Sequence, residues 1–156
     1  MVSNRLSLQL CSIPGTFNVR GEGRMFATIC KEFTFDAAHK LPNHSGKCSQ
    51  LHGHTYKVRV YLRGRVHPLD NSATEGMVED FTHIKEVFKR RVEDFCDHKF
   101  LNETLPIAIT TAEFLAGWIL IVLRKELSAV IKVRVYETPT AYAEVAISDF
   151  EDSDVS

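Results

Sequence analysis

The sequence has no apolar run long enough to cross a membrane as a helix, and it has no excess of positive charge. The longest apolar stretch, from Phe114 to Leu123, is followed at once by Arg124 and Lys125, whereas a spanning helix needs about 20 apolar residues. The net charge is −1, from 19 basic and 20 acidic residues. This balance disfavours direct binding to nucleic acid or to an anionic membrane. We therefore predict neither kind of partner.

Cysteine is scarce and irregularly spaced. The four cysteines, Cys11, Cys30, Cys48 and Cys96, lack the close spacing of a disulfide scaffold, and a chain of 156 residues can bury a core without one. This pattern favours free thiols in a reducing compartment, so we predict a cytoplasmic protein. Cys30 and Cys96 have no histidine-rich surroundings, and we interpret both as packing residues.

The first 24 residues differ from the rest of the chain because proline and glycine interrupt every apolar segment. We interpret residues 1–24 as a loosely ordered N-terminal extension, with an added strand or a transit segment as alternatives. Residues 25–156 are predicted to form a single domain, since 44% apolar and 25% charged residues are ordinary values for a globular protein.

The domain begins with two predicted strands. Residues 26–35 are rich in β-forming side chains, and residues 51–63 alternate most clearly, with His52, His54 and Tyr56 on the same face as three later apolar residues. A short returning strand is predicted at residues 76–79. The acidic tail, which contains Glu151 and Asp152, is expected to be frayed.

Two helices and two further strands are predicted to follow. Asp80 is the expected N-cap of a helix that ends near residue 95, and Thr110 with Glu113 matches a capping box for a second helix. The apolar faces expected for these helices are Phe81, Ile84, Phe88, Val92 and Phe95, and Phe114, Leu115, Trp118, Ile119 and Val122. Strands near residues 131–137 and 143–147 complete an α+β order of β-β-(β)-α-α-β-β.

Histidines are concentrated between residues 39 and 54. His52 and His54 are two apart on a strand, so their side chains leave one face about 6.5–7 Å apart at Cα and can converge on one ion. A catalytic zinc needs three protein ligands and an open position. His39 is the natural third ligand and His44 is its rival. The alternatives are polar residues on an exposed strand face and hydrogen-bonded core histidines.

Cys48 lies four residues before His52. A thiol beside a cation ionises more readily, so Cys48 could act as a nucleophile or a general base. It could instead be a small buried residue, or a fourth ligand that closes a structural zinc site.

Three acidic and basic side chains further along the chain are also candidates. The Asp97 carboxylate could orient the ring of His98, or the two could form a charge pair at a helix end. Glu137 ends an apolar strand face, where it could accept two N–H groups from a guanidine-like edge or simply be solvated.

Several motifs, taken together and in order, resemble the 6-pyruvoyl-tetrahydropterin synthase family over about residues 25–150. They are FDAAH (35–39), LPNH (41–44), C-x3-HGH (48–54), GMV-x-DF (76–81), DH-x2-LN (97–102), TT-x-E (110–113) and ET (137–138). The three residues between Cys48 and His52 resemble the 6-carboxy-tetrahydropterin synthase branch. The animal pyruvoyl branch typically has five, and a folate-pathway branch has glutamate in place of the cysteine.

This resemblance implies a tunnelling fold (T-fold), an antiparallel β-sheet with two helices packed on one face, whose trimers pair into hexamers with active sites between subunits. It implies conversion of 7,8-dihydroneopterin triphosphate to 6-carboxy-5,6,7,8-tetrahydropterin, with release of acetaldehyde and triphosphate, on the route to queuosine. The alternatives are triphosphate elimination of the 6-pyruvoyl-tetrahydropterin synthase type, cleavage of sepiapterin-like side chains, and a non-catalytic zinc- or pterin-binding module.

The resemblance also assigns roles to individual residues. It implies that His39, His52 and His54 bind Zn²⁺. It implies that Cys48, Asp97 and His98 are catalytic, and that Glu137, Glu113 and Thr111 bind the pterin. The lysines and arginines are scattered along the sequence, so it does not locate the triphosphate-binding cations.

Overall fold

The structure is a computed structural model, and it describes residues 25–150. It contains a five-stranded sheet in the spatial order β3-β1-β2-β4-β5. The strands are β1 (Phe26–His39), β2 (His52–Arg65), β3 (Lys99–Phe100), β4 (Val130–Thr138) and β5 (Ala141–Ala146). All neighbours pair antiparallel except the short β3, which runs parallel to the end of β1. The predicted antiparallel sheet is confirmed, with a two-residue parallel strand added at its edge.

Two helical segments cover one face of this sheet. α1 (Phe81–Phe88) continues through a π-helical turn (Lys89–Glu93) into α2 (Asp94–Cys96). After the short α3 (Leu101–Thr104), α4 (Ala112–Arg124) packs against β4 and β5. The predicted α+β class is confirmed. Among residues 25–150, no helix combines the length and hydropathy that a membrane span requires.

The hydrophobic core lies between the sheet and the helices, on what we call the inner face of the sheet. Alternate residues of β2 point there, as predicted, and the side chains between them are partly or fully exposed on the opposite, outer face. The fully buried residues of β2 are Tyr56, Val58, Val60 and Leu62. Burying such side chains is the main favourable contribution to folding, at about 1.5–3 kcal/mol for each aliphatic one.

The first helical segment begins as predicted but turns differently toward its end. The Asp80 carboxylate accepts a hydrogen bond from the Thr82 N–H at 2.6 Å and caps α1. The buried residues are Ile84, Val87, Phe88, Val92 and Cys96. Phe81 and Phe95 are 47% and 48% exposed, so their predicted place in the core is wrong. A π-helical turn holds one more residue than an α-helical turn, so Cys96 returns to the core in place of Phe95.

The start of α4 also differs from the prediction. Thr111, not Thr110, is the N-cap, and no side chain caps the helix. Glu113 therefore does not complete a capping box, and Thr110 is instead buried next to the histidine cluster. Phe114, predicted in the apolar face, is 52% exposed.

Two smaller expectations are also corrected. Residues 76–79 form an irregular turn instead of a strand: Gly76 has φ +73°, and the backbone hydrogen bonds of this segment run to His67 and Thr74. Cys96 is buried, as predicted for a packing residue, whereas Cys30 is exposed. The predicted extension (1–24) and most of the acidic tail (151–156) lie outside the described residues.

Candidate metal centre and active site

The β1–β2 hairpin brings two of the predicted metal ligands together. His39 ends β1, His52 begins β2, and the two are direct partners in the ladder. His54 lies two residues further along β2, on the inner face. The loop formed by residues 40–51 is therefore flanked by a histidine on each side.

The three histidine rings converge on one point. One nitrogen from each ring lies within 4.8 Å of the other two, and His39 Nε2 is 3.1 Å from His52 Nε2. His39 is 1% exposed, and its ring centroid is 5.2 Å from that of His54. Within residues 25–150, this is the only cluster of metal-ligating side chains of this kind.

Backbone carbonyls fix which nitrogen is available to a ligand in two of the three rings. His39 Nδ1 donates to the Thr110 carbonyl at 2.7 Å, and His52 Nδ1 donates to the Gln50 carbonyl at 2.8 Å. A carbonyl only accepts, so each neutral ring is protonated at Nδ1 and presents the lone pair of Nε2. Two lone pairs 3.1 Å apart repel each other unless they share a cation. This donor set therefore fits a metal ion, in the arrangement that outer hydrogen bonds give to metal-binding histidines.

Burial keeps the centre in the state that binds metal. It lowers the pKa of His39, although the Thr110 carbonyl and Glu137 act in the opposite direction. The ring is therefore neutral at pH 7, as a metal ligand must be. Beneath the histidines lies the fully buried ring of Tyr56, which meets His54 edge-on at 5.5 Å between centroids. Burial raises the pKa of Tyr56, so its hydroxyl stays protonated.

Glu137 lies at the edge of this centre. Its Oε1 is 4.0 Å from His39 Nε2, and its side chain is 29% exposed. It follows the buried residue Val135 by two positions on β4, so it marks the point where the apolar inner face opens to solvent. Its carboxylate is thus available to a ligand that also reaches the histidines.

Cys48 is in the loop between the two ladder histidines. It is half-buried in a single 3₁₀ turn (Lys47–Ser49), and its carbonyl accepts a hydrogen bond from the Leu41 N–H at 2.8 Å. This bond ties the cysteine to the chain two residues after His39. The Cys48 sulfur is not part of the histidine cluster.

His44 is not a member of the histidine cluster. Its Nδ1 accepts a hydrogen bond from the Gly46 N–H at 2.9 Å. A Cβ at Gly46 would lie 2.9 Å from the His44 ring, so the ring closes tightly over the glycine. The structure does not bring His44 into the cluster, and its interpretation as a rival ligand is wrong.

Asp97 and His98 follow α2 and are fastened to β1. The Asp36 N–H donates to Asp97 Oδ1 at 3.1 Å, and the His98 N–H donates to the Asp36 carbonyl at 2.6 Å. Asp97 Oδ2 lies 2.9 Å from His98 Nδ1, so the carboxylate does orient the ring. The Asp36 N–H, and then the His98 ring, lower the pKa of Asp97, which keeps the carboxylate charged at neutral pH. His98 has φ 55°, and its side chain is 78% exposed.

Two clefts meet at the start of β2 and share Gly53, His54 and Thr55. The first, which we call the His98 cleft, is lined by His98, Phe100 and the end of β1. The second, the Lys57 cleft, is lined by Lys57, Arg59, Tyr136, Glu137 and the turn between β4 and β5, with Thr34 of β1. His54 thus connects the two sets of predicted site residues.

The remaining two predicted site residues lie at the start of α4. Thr111 directly follows the residue whose carbonyl holds His39, whereas Glu113 is exposed on the first turn. Neither lines the two clefts. Sequence reasoning missed the Thr110 and Gln50 carbonyls, because any residue can supply a carbonyl and no sequence signal marks these two.

Comparison with known proteins identifies relatives across most of the chain. The family model described as 6-pyruvoyl tetrahydropterin synthase matches residues 28–147. The chain is 40% identical over 116 residues to 6-carboxy-5,6,7,8-tetrahydropterin synthase of Synechocystis sp., covering 74% of this chain and 89% of the relative. It is 35% identical over 137 residues to the protein of the same name from Haemophilus influenzae, covering 74% and 96%.

Solved structures share the fold. The structure of 6-pyruvoyl tetrahydropterin synthase from Caenorhabditis elegans matches with a TM-score of 0.69 and 28% identity, over 80% of this chain and 98% of that one. A 6-pyruvoyltetrahydropterin synthase from Plasmodium vivax matches with a TM-score of 0.61 at 22% identity, over 78% and 97% of the two chains.

Proposed function

Because the chain belongs to the 6-pyruvoyl tetrahydropterin synthase family, we propose that it is a lyase that makes 6-carboxy-5,6,7,8-tetrahydropterin. The substrate is 7,8-dihydroneopterin triphosphate, and the reaction consumes one water and releases acetaldehyde and triphosphate. The three converging histidines beside a separate half-buried cysteine carry this proposal. The names of the two relatives above and the three-residue spacing before His52 support this branch.

His39, His52 and His54 would hold the metal, which we propose to be zinc because neutral imidazoles suit it. Zinc bound there would polarise the side-chain oxygens of the substrate as a Lewis acid. Three protein ligands leave a position for those oxygens. Cys48 is outside the cluster, which agrees with an open catalytic site better than with a closed structural one.

The other site residues have proton-transfer and binding roles in this proposal. The Cys48 thiolate removes a proton from a side-chain carbon of the pterin, and His98, oriented by Asp97, exchanges the second proton. The Glu137 carboxylate accepts the 2-amino and N3 hydrogens of the pterin edge. Thr111 and Glu113 lie outside the two clefts, and we assign them pterin contacts because TT-x-E (110–113) resembles the family motif.

We also propose that the protein is a cytoplasmic hexamer made of two trimers. Within residues 25–150, β5 is an edge strand, and most of β1 pairs on one side only. Edges that expose unpaired backbone groups can pair with a strand of another chain. Pairing of β5 with β1 of the next copy would supply one.

Product identification tests the proposed reaction. Purified protein is loaded with zinc and incubated with 7,8-dihydroneopterin triphosphate, and products are analysed by mass spectrometry together with a coupled assay for acetaldehyde. We expect 6-carboxytetrahydropterin and acetaldehyde in equal amounts. Triphosphate release with a 6-pyruvoyl product and no acetaldehyde would instead favour the pyruvoyl activity.

A cysteine substitution tests whether the module is catalytic. Cys48→Ala should keep its zinc and lose about 10²–10⁴-fold in kcat, as is typical when a general base is removed. Cys30 is an exposed cysteine on β1, so Cys30→Ala is the matched control and should keep both its zinc and its kcat. Loss of zinc from Cys48→Ala would show a fourth ligand and a structural site.

A further inference from the structure

The outer face of the sheet is rich in cations, although the whole chain carries a net charge of −1. By strand alternation, the basic residues on the outer face of β2 and β4 are Lys57, Arg59, Arg63, Arg65, Lys132 and Arg134. They outnumber the acidic side chains on the same face, which are Glu32, Asp36 and Glu144. A surface of one predominant sign attracts ligands of the opposite charge.

The sheet has a gap next to the metal centre. The β2–β4 ladder begins at the Lys57–Tyr136 pair, so the first residues of β2 have no β4 partner within the described chain. The Lys57 cleft lies in this gap and has a volume of about 610 Å³. Its lining joins His54 and Glu137 of the inner face to Lys57 and Arg59 of the outer face. A ligand in this cleft can therefore reach His54, one member of the histidine centre, and the outer-face cations together.

The groups on the outer side of this cleft are those that recognise phosphate. Lys57 and Arg59 supply an ammonium and a guanidinium, whose side chains are 44% and 36% exposed, and Thr34 supplies a hydroxyl. The Thr55 hydroxyl already donates to the Asp36 carboxylate. Arg59 donates to Glu32 through Nε at 2.8 Å and to the Tyr136 hydroxyl through Nη1 at 3.1 Å. These two contacts hold the guanidinium in place and leave Nη2 for a ligand oxygen.

From this arrangement we propose that Lys57 and Arg59 bind the triphosphate group of the substrate. The inference rests on the proposed function, which supplies a triphosphate ester attached to a group held at the histidines. Glu32 is the counter-ion that the two cations share, with its Oε1 3.6 Å from Lys57 Nζ. Two cations face one carboxylate there, so a positive charge remains for the anion, and Glu137 on the far side of the cleft stays available to the pterin.

Binding of inorganic triphosphate to the zinc-loaded protein tests this site without turnover. Isothermal titration calorimetry should give Kd values about tenfold higher for Lys57→Gln and for Arg59→Gln, the usual loss for a hydrogen bond to a charged group. Arg59→Lys keeps the charge but loses the planar fork, so its Kd should fall between those of the unmodified protein and Arg59→Gln. Zinc content is measured after each titration, because phosphate oxygens can also remove the metal.

Arg63→Gln is the matched control, since Arg63 lies on the same face of β2 and donates to Thr28 instead of lining the cleft. It should bind within about twofold of the unmodified protein, because salt screens charges outside contact distance. Equal weakening by Arg63→Gln, or unchanged binding by both Lys57→Gln and Arg59→Gln, would overturn the proposal. Thermal unfolding of each variant establishes that it is folded.

Steady-state kinetics separates this inference from the proposed function. In the Lys57 and Arg59 variants the KM for dihydroneopterin triphosphate should rise while kcat changes little. If the protein forms no carboxy product but the variants still lose triphosphate affinity, the reaction is wrong and the anion site stands. If product forms and the variants keep their KM, the site is wrong and the reaction stands.

Discussion

At the residue scale, the metal centre is defined by the lone pairs that the backbone leaves available. The Thr110 and Gln50 carbonyls orient His39 and His52, whereas the His44 ring is engaged by Gly46. The histidines are thus distinguished by hydrogen bonds and not by their place in the sequence.

This distinction predicts the metal content of single variants. His39→Ala, His52→Ala and His54→Ala should each weaken zinc binding by more than about 100-fold, because losing a ligand exceeds the 10–100-fold effect of losing an outer hydrogen bond. His44→Ala is the control and should keep its zinc. The zinc content per chain of each variant is measured after dialysis against a weak chelator. Zinc loss from His44→Ala equal to that from His52→Ala would contradict the assignment.

Burial also predicts which thiols react. Burial, with Asp97 nearby, raises the pKa of Cys96 to about 12, so at pH 8 this thiol is almost entirely protonated and unreactive. Iodoacetamide at pH 8 should therefore label Cys48 and Cys30 in the native protein and leave Cys96 unmodified. Peptide mass spectrometry reports each site, and labelling in guanidinium chloride is the control, in which Cys96 should react. Native labelling of Cys96 would contradict its burial.

At the element scale, α4 provides a matched pair of isoleucines. Ile119 is fully buried and Ile121 is 37% exposed, so the same substitution tests two environments on one helix. Ile119→Ala should lower the free energy of unfolding by about 2–5 kcal/mol, because it leaves a cavity. Ile121→Ala should cost about 1 kcal/mol or less. Urea denaturation at one fixed protein concentration measures both, and equal losses would contradict the orientation of the helix.

The sequence predicted those elements whose periodicity continues without interruption. The alternation of β2 correctly placed His52, His54 and Tyr56 on one face. Prediction from periodicity failed where the backbone departs from regular geometry. In the first helical segment, for example, the π-helical turn moved Phe95 out of the core. Ile131, which has the parity of the buried Val133 and Val135, falls at a register shift that buries Val130 in its place.

The candidate site was predictable to a similar extent. The three histidines follow from strand parity and one hairpin. The Lys57 cleft does not, because it depends on where β4 separates from β2, and a single sequence does not give that register. Lys57 and Arg59 were therefore indistinguishable from other surface cations until the structure placed them beside Glu137.

At the scale of the whole molecule, the proposed hexamer predicts the mass in solution. In sedimentation velocity the protein should have six times its chain mass of 17.7 kDa. If sites lie between subunits, specific activity should fall on dilution in parallel with dissociation. A single-chain mass that keeps full activity at every concentration would contradict the proposed hexamer.

The fastening of Asp97 and His98 to Asp36 has a consequence for this assembly. These bonds and the short β3 occupy the backbone edge of β1 from Asp36 onward, while residues 26–35 keep that edge unpaired within the described chain. In the proposed hexamer, a strand from a second copy could pair with β1 only up to Asp36. The contacts that fasten Asp97 and His98 would therefore fix the register between neighbouring copies.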